Sequence, residues 1–270
     1  MANGGLFRAL HEGPGIFVMP NPWDIGSAKL IRSFGFKALA TSSAGFAWTR
    51  GLQDGEVGFE AMIAHCKEMA AAVDIPVSGD LEKGKGDSPD SAAETVFAAD
   101  AAGLAGCSIE DHTGDPASPI YDFGHAVERV AAAAEAARAL SGDFVLTARA
   151  ENFLWKRPDI DDTIHRLQAF EKAGADVLFA PGIPDIAMIR QICASVSKPV
   201  NVLAGGPNLT VAQLAEAGVK RISLGPRLSN AAFGAMERAA REILDKGTFT
   251  FNSEVMPSAR VAALLGGERP

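Results

Sequence analysis

Eight short apolar segments recur along the chain, and each is followed by a stretch with helical spacing. They begin at Ile16, Ala38, Ile75, Gly106, Phe144, Ala175, Pro199 and Arg221. Each apolar segment ends in polar, Gly or Pro residues, while the stretches between them repeat apolar residues three and four positions apart. Strands that alternate with helices predict a parallel sheet covered by helices. Eight such strands predict an α/β fold of the TIM (β/α)8 barrel type.

The chain shows no internal domain boundary. No Pro/Ser-rich linker and no shift in composition divides its 270 residues, a length that suits one barrel. The sequence therefore predicts a single domain over residues 1–270. One helix-like segment, Ser258 to Leu265, is surplus to a barrel. Residues 247–270 are accordingly predicted to form a C-terminal helical extension that either caps the barrel or reaches a neighbouring subunit.

The composition of the chain indicates which classes of partner it can bind. The formal net charge of −8 argues against an extended basic surface for nucleic acid or an anionic membrane. No apolar run approaches the roughly 18 residues of a membrane span, and the N-terminus lacks a signal-peptide pattern. The cysteines at 66, 107 and 193 form no CxxC pair, so neither a disulfide framework nor a zinc site is indicated. We expect a cytoplasmic protein whose partners are small molecules.

Acidic residues follow the third and fourth apolar segments. In a barrel of this type the active site lies at the carboxyl ends of the strands. Asp80 and Glu82 are two apart on one strand, so they are expected on the same face, and Glu110 follows the next strand at the same level. One interpretation pairs the first two acids with Lys83 or Lys85 at the barrel rim. The presence of Glu110 as a third acid favours a second interpretation, in which the three carboxylates bind a divalent cation through oxygen ligands.

Arg149 ends the fifth strand and shares a predicted face with Glu151. Its planar guanidinium suits a carboxylate group, whether that of a small organic acid or, in a purely structural role, that of Glu151 or Glu110. The second strand ends in the small residues Ser42 to Gly45, a turn whose backbone N–H groups either approach an anionic oxygen or simply close a loop. Both interpretations stay open from these residues alone.

Two residues directly follow Glu110. His112 is predicted on the same face as Glu110, where it serves either as a hydrogen-bonded structural residue or in catalysis. Asp111 is predicted to face outward and either to cap a turn or to anchor a neighbouring loop. After strands seven and eight come glycine-containing turns, residues 204–207 and 224–227, at positions where many barrels bind phosphate, although glycine is also common in ordinary barrel loops.

Taken together, these motifs resemble a known superfamily. They are TSSAG on strand two, Asp54 in the following loop, GDLEKGKGD, SIEDH, ARAE, PVNVLAGG and RISLGP. Over residues 15–245 the set resembles the isocitrate lyase and phosphoenolpyruvate mutase superfamily. The resemblance implies a Mg2+-dependent barrel, with Mn2+ as an alternative ion, that acts on a 2-oxo acid or its enolate.

The resemblance also implies roles for individual residues. Asp80 takes the place of the principal metal ligand, and Asp54, Glu82 and Glu110 hold the metal through water. Ser42, Ser43 and Ala44 are implied to bind the carboxylate and oxo groups of the substrate, with Arg149 and Asn201 as further substrate contacts. Glu82 departs from the Asp that is common at its position.

The loop after strand four distinguishes members of this superfamily, and here it spans residues 111–121. It contains no cysteine, whereas the lyases carry a KKCGH-like stretch whose Cys acts as the acid. The Lys and Asn of a phosphonopyruvate mutase loop are missing too, and strand six has Ala180-Pro181-Gly182 where the mutase has His and Ser. His112, Ser118 and Tyr121 remain as candidate proton donors, so Arg149, His112 and Tyr121 are the candidate catalytic residues.

Three functions follow from these observations. The leading hypothesis is a Mg2+-dependent lyase-type enzyme that acts on an oxaloacetate-like or methylisocitrate-like 2-oxo or 2-hydroxy carboxylate through an enolate. The second is a mutase or hydrolase of the P–C bond in phosphonopyruvate or phosphoenolpyruvate. The third, of another class, is a barrel that binds a 2-oxo acid without turnover. The resemblance further implies a homotetramer, a dimer of dimers, with C-terminal helices exchanged between subunits.

Overall fold

A computed structural model describes residues 3–204 and 209–266 and contains one sheet of eight parallel strands. The strands are β1 (Phe17–Met19), β2 (Leu39–Ala40), β3 (Val77–Asp80), β4 (Gly106–Glu110), β5 (Val145–Arg149), β6 (Val177–Phe179), β7 (Val200–Leu203) and β8 (Arg221–Ser223). The order β1-β8-β7-β6-β5-β4-β3-β2 follows the chain around the sheet. All eight strands lie within or directly beside the predicted apolar segments.

The sheet is a nearly closed barrel. Its last seam, between β1 and β2, is joined by a hydrogen bond of 3.0 Å from the Ala40 N–H to the Pro20 carbonyl. The side-chain amide of Asn21 adds a second bond of 2.8 Å to the Thr41 carbonyl. The predicted TIM barrel is therefore confirmed, and the carboxyl ends of its strands meet at one rim.

Helices surround the barrel. They are α1 (Asn3–Glu12), α2 (Ile25–Ser33), α3 (Ser43–Thr49), α4 (Phe59–Ala72), α5 (Pro89–Ala101), α6 (Phe123–Ala139), α7 (Ile160–Ala173), α8 (Ile186–Ser195), α9 (Val211–Glu216), α10 (Arg227–Lys246) and α11 (Ser258–Leu265). Side-chain caps begin several of them; for example, Asp24 and Ser27 form a capping box at α2. No described helix is both long and apolar enough to cross a membrane.

The helix α1 was not anticipated from the sequence. It lies against the amino-terminal side of the barrel, where Phe7 is fully buried and packs in a cluster with Val145 and Val177. A close backbone approach holds it there, because a Cβ on Gly4 would lie 1.7 Å from the carbonyl oxygen of Asp143. This helix therefore closes the end of the barrel opposite the predicted site and brings His11 to its interior.

The C-terminal part of the chain departs from simple barrel packing. The helix α10 has 20 residues, of which only Ser229 is buried. Its apolar side chains are exposed instead, Leu244 at 84% and Met236 at 59%. Beyond it, α11 returns to pack against α2, with Leu264 buried. The predicted C-terminal helix is thus present; its exchange between subunits stays a prediction.

Candidate active site

A cavity of about 500 Å³ opens at the carboxyl ends of the strands. Of the residues predicted for the site, nearly all line it: Ser42, Ser43, Ala44, Asp54, Asp80, Glu82, Glu110, His112, Arg149 and Asn201. Parallel strands bring their carboxyl ends to one rim, which explains why residues far apart in sequence meet there. Tyr121 and Ser118 are absent from this lining.

Asp80 is held at the end of β3 by Ser43, which follows the neighbouring strand β2. Its Oδ2 accepts hydrogen bonds of 3.1 Å from both the backbone N–H and the hydroxyl of Ser43. The Ser42 hydroxyl accepts a bond of 3.1 Å from the Gly45 N–H and so caps α3. The expected turn is therefore the first turn of a helix, because Ser42 is a favourable N-cap residue. Ser43 and Ala44 face the cavity from that turn.

Glu82 reaches the cavity by a route that simple strand alternation does not describe. The strand β3 ends at Asp80, and Glu82 has a left-handed backbone with φ of 54°. The prediction that Asp80 and Glu82 sit side by side on an extended strand is therefore wrong, because the chain turns between them. Glu82 nonetheless lines the cavity beside Asp54, which approaches from the loop after α3.

Arg149 is the centre of a buried ion-pair network. Its Nη1 lies 3.0 Å from Asp80 Oδ1 and 2.7 Å from Glu110 Oε1, and its Nε lies 2.7 Å from Glu151 Oε1. The prediction that Arg149 and Glu151 share a face is confirmed. The guanidinium also lies over the Phe179 ring, 4.9 Å from its centroid. Arg149 thus pairs with Glu110 and Glu151, the partners predicted for a structural role, and it also lines the cavity.

Negative charge exceeds positive charge on this side of the cavity. Burial, followed by repulsion from Asp80 and Asp54, raises the pKa of Glu82 to about 7. Burial and Asp80 likewise raise the pKa of Asp54. Burial raises the pKa of both Glu110 and Glu151 despite the nearby Arg149. Glu151 Oε2 is buried without a hydrogen-bond partner among the described residues. A further cation would relieve this excess.

The donor set can be tested against a divalent metal. Within residues 3–204 and 209–266, no three His, Cys, Asp or Glu side chains converge closely enough to form a complete metal site. Mg2+ does not require such a cage, since it usually keeps several waters and takes one or two carboxylates. A carboxylate wall with unrelieved negative charge fits that mode of binding, and Asp80, the predicted principal ligand, belongs to this wall.

His112 lies at the cavity wall and stacks on Trp155, with ring centroids 3.8 Å apart. Its Nε2 is buried and has no hydrogen-bond partner in the described part of the chain. Burial, with Lys83 and Arg149 nearby, lowers the pKa of His112 to about 4, so the ring is neutral at pH 7. His112 thus combines a ring at the cavity wall with a buried ring nitrogen that has no partner among the described residues, and a buried polar atom of this kind is uncommon in a folded protein.

Tyr121 points away from the cavity, which corrects its prediction as a catalytic residue. The loop folds back through an antiparallel bridge between His112 and Ile120. This carries the Tyr121 hydroxyl to Asp87 Oδ1, 2.5 Å away, outside the cavity lining. Ser118 is exposed on the same loop and is also removed from the cavity. Of the three candidate proton donors, His112 alone lies at the site.

Asp111 anchors this loop, as predicted. It is buried, accepts a bond of 2.8 Å from the Glu151 N–H and pairs with Arg166 at 3.1 Å. Lys83 also fixes the loop, since its Nζ lies 2.7 Å from Asp87 Oδ1 and 2.8 Å from the Thr113 carbonyl. The rim pairing considered for Lys83 therefore involves Asp87 rather than Asp80 or Glu82.

The opposite wall of the cavity is formed by β7, β8 and the start of α10, and of its donors the sequence predicted only Asn201 and the turn that ends at Arg227. Ser223 and Arg221 line it beside the predicted Asn201, and Arg227 and Asn230 follow from the first turn of α10. The guanidinium of Arg227 has no hydrogen bond or ion pair to the described residues, although its backbone N–H donates to the Leu224 carbonyl. The signal for Arg221 was a charged residue within an apolar strand segment, RIS. Of the two glycine-containing turns, residues 205–207 lie outside the described part of the chain.

The chain is similar to known proteins over most of its length. The family model described as phosphoenolpyruvate phosphomutase matches residues 7–244. The 2-methylisocitrate lyase of Escherichia coli K12 is 32% identical over 252 residues, which cover 89% of this chain and 82% of that protein.

Solved structures agree with this result. A Burkholderia cenocepacia J2315 protein, provisionally described as a lyase/mutase, is 48% identical with a TM-score of 0.96 and covers 99% of this chain and 97% of its own. A 2,3-dimethylmalate lyase is 27% identical with a TM-score of 0.86 and covers 98% and 95%. Two more distant structures share the fold: oxaloacetate acetylhydrolase with the inhibitor 3,3-difluorooxalacetate, and phosphonopyruvate hydrolase with oxalate and Mg2+.

Proposed function

The chain belongs to the phosphoenolpyruvate phosphomutase family, and we propose that it is a Mg2+-dependent carbon–carbon lyase of small 2-oxo or 2-hydroxy carboxylates. Oxaloacetate-like and methylisocitrate-like acids are the substrate class. The observation that carries the proposal is the arrangement around Arg149, a buried cation that holds Asp80, Glu110 and Glu151 at one wall of the cavity. Mn2+ is the alternative ion.

The metal would be held at the acidic wall. Asp80 is its proposed direct ligand, and Asp54, Glu82 and Glu110 are proposed to hold its water molecules. When bound, the ion supplies a Lewis acid that stabilises negative charge on an oxygen of the substrate. The raised pKa values of Asp54, Glu82 and Glu110 support this assignment, since a cation beside these carboxylates offsets both burial and mutual repulsion.

The substrate is proposed to lie between the acidic wall and the wall opposite. The first turn of α3 presents Ser43 and Ala44 to a carboxylate or oxo oxygen, and Arg149 provides a positive charge beside it. At the far side, Arg227 is a cation without a partner among the described residues, and it lines the cavity together with Asn230. The acidic wall and Arg227 thus lie on opposite sides of the cavity, an arrangement that favours an acid with two carboxylates. The acidic wall would repel the second carboxylate, and Arg227 would attract it.

His112 is the proposed proton-transfer residue. In a lyase reaction on a 2-hydroxy acid, the hydroxyl passes its proton to a base and becomes a carbonyl as the adjacent C–C bond breaks, and the enolate that leaves takes up a proton at carbon. Two observations support this role: the His112 ring lines the cavity, and its Nε2 has no hydrogen-bond partner among the described residues. Although burial lowers the pKa of His112 to about 4, an anionic ligand nearby raises the pKa of an imidazole and so favours the imidazolium that gives up the proton.

Turnover of a defined panel of acids tests this function. Purified protein would be incubated with oxaloacetate, 2-methylisocitrate, 2,3-dimethylmalate and phosphonopyruvate, with Mg2+ or with EDTA, and products followed by NMR. We expect cleavage of at least one C–C substrate that EDTA abolishes and Mg2+ restores. Cleavage that is indifferent to EDTA would contradict the metal assignment. Binding of 3,3-difluorooxalacetate would be measured in parallel by calorimetry.

The same panel separates the other two hypotheses. The family match supports P–C bond chemistry as the second candidate, and phosphate release from phosphonopyruvate without C–C cleavage would select it. Tight, Mg2+-dependent binding of 3,3-difluorooxalacetate with no product from any acid would indicate a barrel that binds without turnover. Ser118 and Tyr121 lie outside the cavity, whereas His112 lines it. Replacement of His112 should therefore distinguish an enzyme, which would lose activity, from a protein that only binds the acid.

We also propose that the chain is a homo-oligomer, a dimer of dimers. The exposed apolar residues of α10 support this assignment, because they repeat at helical spacing along one face: Phe233, Met236, Ile243 and Leu244. Contiguous apolar surface of this kind is typical of subunit interfaces.

A further inference from the structure

A chain of hydrogen bonds runs from α1, at the closed end of the barrel, to the cavity wall formed by β7 and β8. Arg221 Nη1 lies 3.1 Å from His11 Nε2, and Arg221 Nε lies 2.9 Å from Asn201 Oδ1. Asn201 Nδ2 lies 2.9 Å from Ser223 Oγ. All four residues are buried, and all except His11 line the cavity. The chain therefore connects a helix remote from the active site to the surface of the cavity.

The direction of each bond follows from Arg221, because a guanidinium carries donors only. His11 Nε2 must then be an acceptor, so the ring hydrogen is on Nδ1. That atom lies 2.8 Å from the Phe7 carbonyl, which accepts this hydrogen. Burial and the neighbouring Arg221 lower the pKa of His11 to about 3, so the ring is neutral. The tautomer of His11 is thereby fixed.

The same rule orients Asn201. Its Oδ1 faces Arg221, so its Nδ2 faces Ser223 and donates to the hydroxyl oxygen. Ser223 Oγ is the acceptor in that bond, and its own hydrogen is left for another acceptor. No described protein atom takes that hydrogen, and Ser223 lines the cavity while being only 6% exposed. The hydroxyl hydrogen is therefore directed to whatever occupies the cavity.

The charge at this wall favours an anion. Arg221 contacts three neutral groups, those of His11, Asn201 and Thr147, the last at 3.0 Å. Burial lowers its pKa to about 9, so it remains protonated at neutral pH. Arg149 differs, since three carboxylates surround it. A buried cation with neutral partners is costly, and an anion nearby offsets that cost.

We propose that Ser223 is a ligand-binding residue whose hydroxyl donates a hydrogen bond to a carboxylate oxygen of the ligand, and that Arg221 and His11 are positioning residues for it. This inference rests on the proposed function, which puts an organic acid in the same cavity. The strand β8 lies across the barrel from β4, so the carboxylate concerned is the one far from Glu110. Ser223 thus contributes to recognition of a second carboxylate.

Calorimetry with 3,3-difluorooxalacetate and Mg2+ tests the role of Ser223. Loss of a hydrogen bond to a charged group should weaken binding roughly 10- to 100-fold in Ser223→Ala. Ser223→Thr retains the hydroxyl and should bind the probe within about threefold of the wild type. If Ser223→Ala bound weakly only because its structure was disturbed, retention of the hydroxyl in Ser223→Thr would not be expected to preserve binding. A folded Ser223→Ala protein that binds as tightly as the wild type overturns the proposal.

The positioning half has its own test. In Asn201→Asp the new carboxylate has no donor, so the Ser223 hydroxyl must turn to it and away from the cavity. Asn201→Asp combined with Ser223→Ala should then bind the probe no more weakly than Asn201→Asp alone. Additive losses overturn this half. Independently of any ligand, 1H–15N spectra of the His11 ring should show hydrogen on Nδ1, and hydrogen on Nε2 overturns the assigned direction.

These outcomes are separate from failure of the proposed function. If the wild type binds no 3,3-difluorooxalacetate in the presence of Mg2+, the organic-acid assignment is overturned and Ser223 loses its ligand. If the wild type binds and Ser223→Ala binds equally well, the proposed function stands and only the role of Ser223 is overturned. Thermal unfolding of each variant, compared with the wild type, verifies that the protein measured is folded.

Discussion

Arg149 Nη1 lies 2.7 Å from Glu110 Oε1, and these two residues are register partners on the adjacent strands β5 and β4. The pairing is therefore fixed by the sheet itself and not by a flexible loop. Asp80, on the strand beside β4, shares the same Nη1 at 3.0 Å. One guanidinium thus holds carboxylates from two neighbouring strands together, which makes the acidic wall rigid before any ligand arrives.

Replacing Arg149 with Gln should destabilise the protein as well as inactivate it. Removal of the cation leaves Asp80, Glu110 and Glu151 buried without their partner, which typically costs about 3–5 kcal/mol. The loss should be smaller at pH 5 than at pH 7, since buried carboxyl groups with raised pKa values take up protons there. Urea unfolding at both pH values measures it. Arg32→Gln, at the exposed pair with Asp74, is the control and should cost less than about 1 kcal/mol. Equal losses in the two variants would contradict the prediction.

Glu82 should link stability to pH in the metal-free protein. Its pKa in the folded chain is about 7, above its ordinary value of 4.5. A carboxyl with a raised folded pKa contributes stability below its unfolded pKa and loses that contribution as pH rises through the folded value. The wild type should therefore lose stability relative to Glu82→Gln between about pH 4.5 and 7, by roughly 2–3 kcal/mol.

Magnesium should reverse this trend for the wild type. A cation beside the carboxylates favours their ionised forms, so its stabilising effect should grow as pH rises from 5 to 8. Urea unfolding with EDTA or with Mg2+, at each pH, measures both effects. The difference between wild type and Glu82→Gln cancels contributions from other titrating groups such as His11. A pH-independent difference would show that Glu82 keeps its ordinary pKa in the fold.

Much of this architecture is predictable from the sequence because it depends on local pattern. The strands appear as apolar runs, and the barrel brings their carboxyl ends together whatever the loops do. Asp80, Glu110 and Arg149 were therefore placed correctly by position alone. Glu82 also reaches the site, but by a left-handed turn, and no pattern of polar and apolar residues specifies the sign of φ at a glutamate.

The features that the sequence did not reveal depend on long-range contacts. His11 and Arg221 are 210 positions apart and meet only because α1 closes the barrel. Tyr121 looked like a plausible proton donor from its place in the loop. Its side chain turns to Asp87 because the loop folds back on itself through the bridge at Ile120, a tertiary arrangement with no local signature.

The two loop residues should therefore behave differently when replaced. Once a substrate is identified, His112→Asn should lower kcat roughly 100-fold or more, in the range of a lost proton-transfer residue. Tyr121→Phe should lower kcat less than about tenfold, since it removes only the bond to Asp87 that helps to hold the loop. Steady-state kinetics measure both. A larger loss in Tyr121→Phe than in His112→Asn would reverse the assignment.

Arg227 should determine preference among acids. Replacing it with Gln removes the unpaired cation at the cavity wall, so KM for an acid with a second carboxylate should rise roughly tenfold or more with little change in kcat. The exposed Arg190 on α8, outside the cavity lining, provides a matched control in Arg190→Gln. Competition by a monocarboxylate such as pyruvate should be nearly unchanged. A fall in kcat with unchanged KM would place Arg227 in the chemical step instead.

The apolar face of α10 should hold subunits together. Leu244 is 84% exposed in the single chain, so an aspartate there costs the monomer little but would put an unpaired charge into an apolar interface. Leu244→Asp should therefore lower the molar mass measured by light scattering. Ala235→Asp introduces the same charge on the opposite side of the helix and should leave the mass unchanged. A wild type that already scatters as a monomer, or equal masses for the two variants, would show that this face is not the interface. The first turn of α10 also carries Arg227 and Asn230 to the cavity. Loss of assembly in Leu244→Asp should therefore raise KM as well, because one helix contributes to both the subunit interface and the active site.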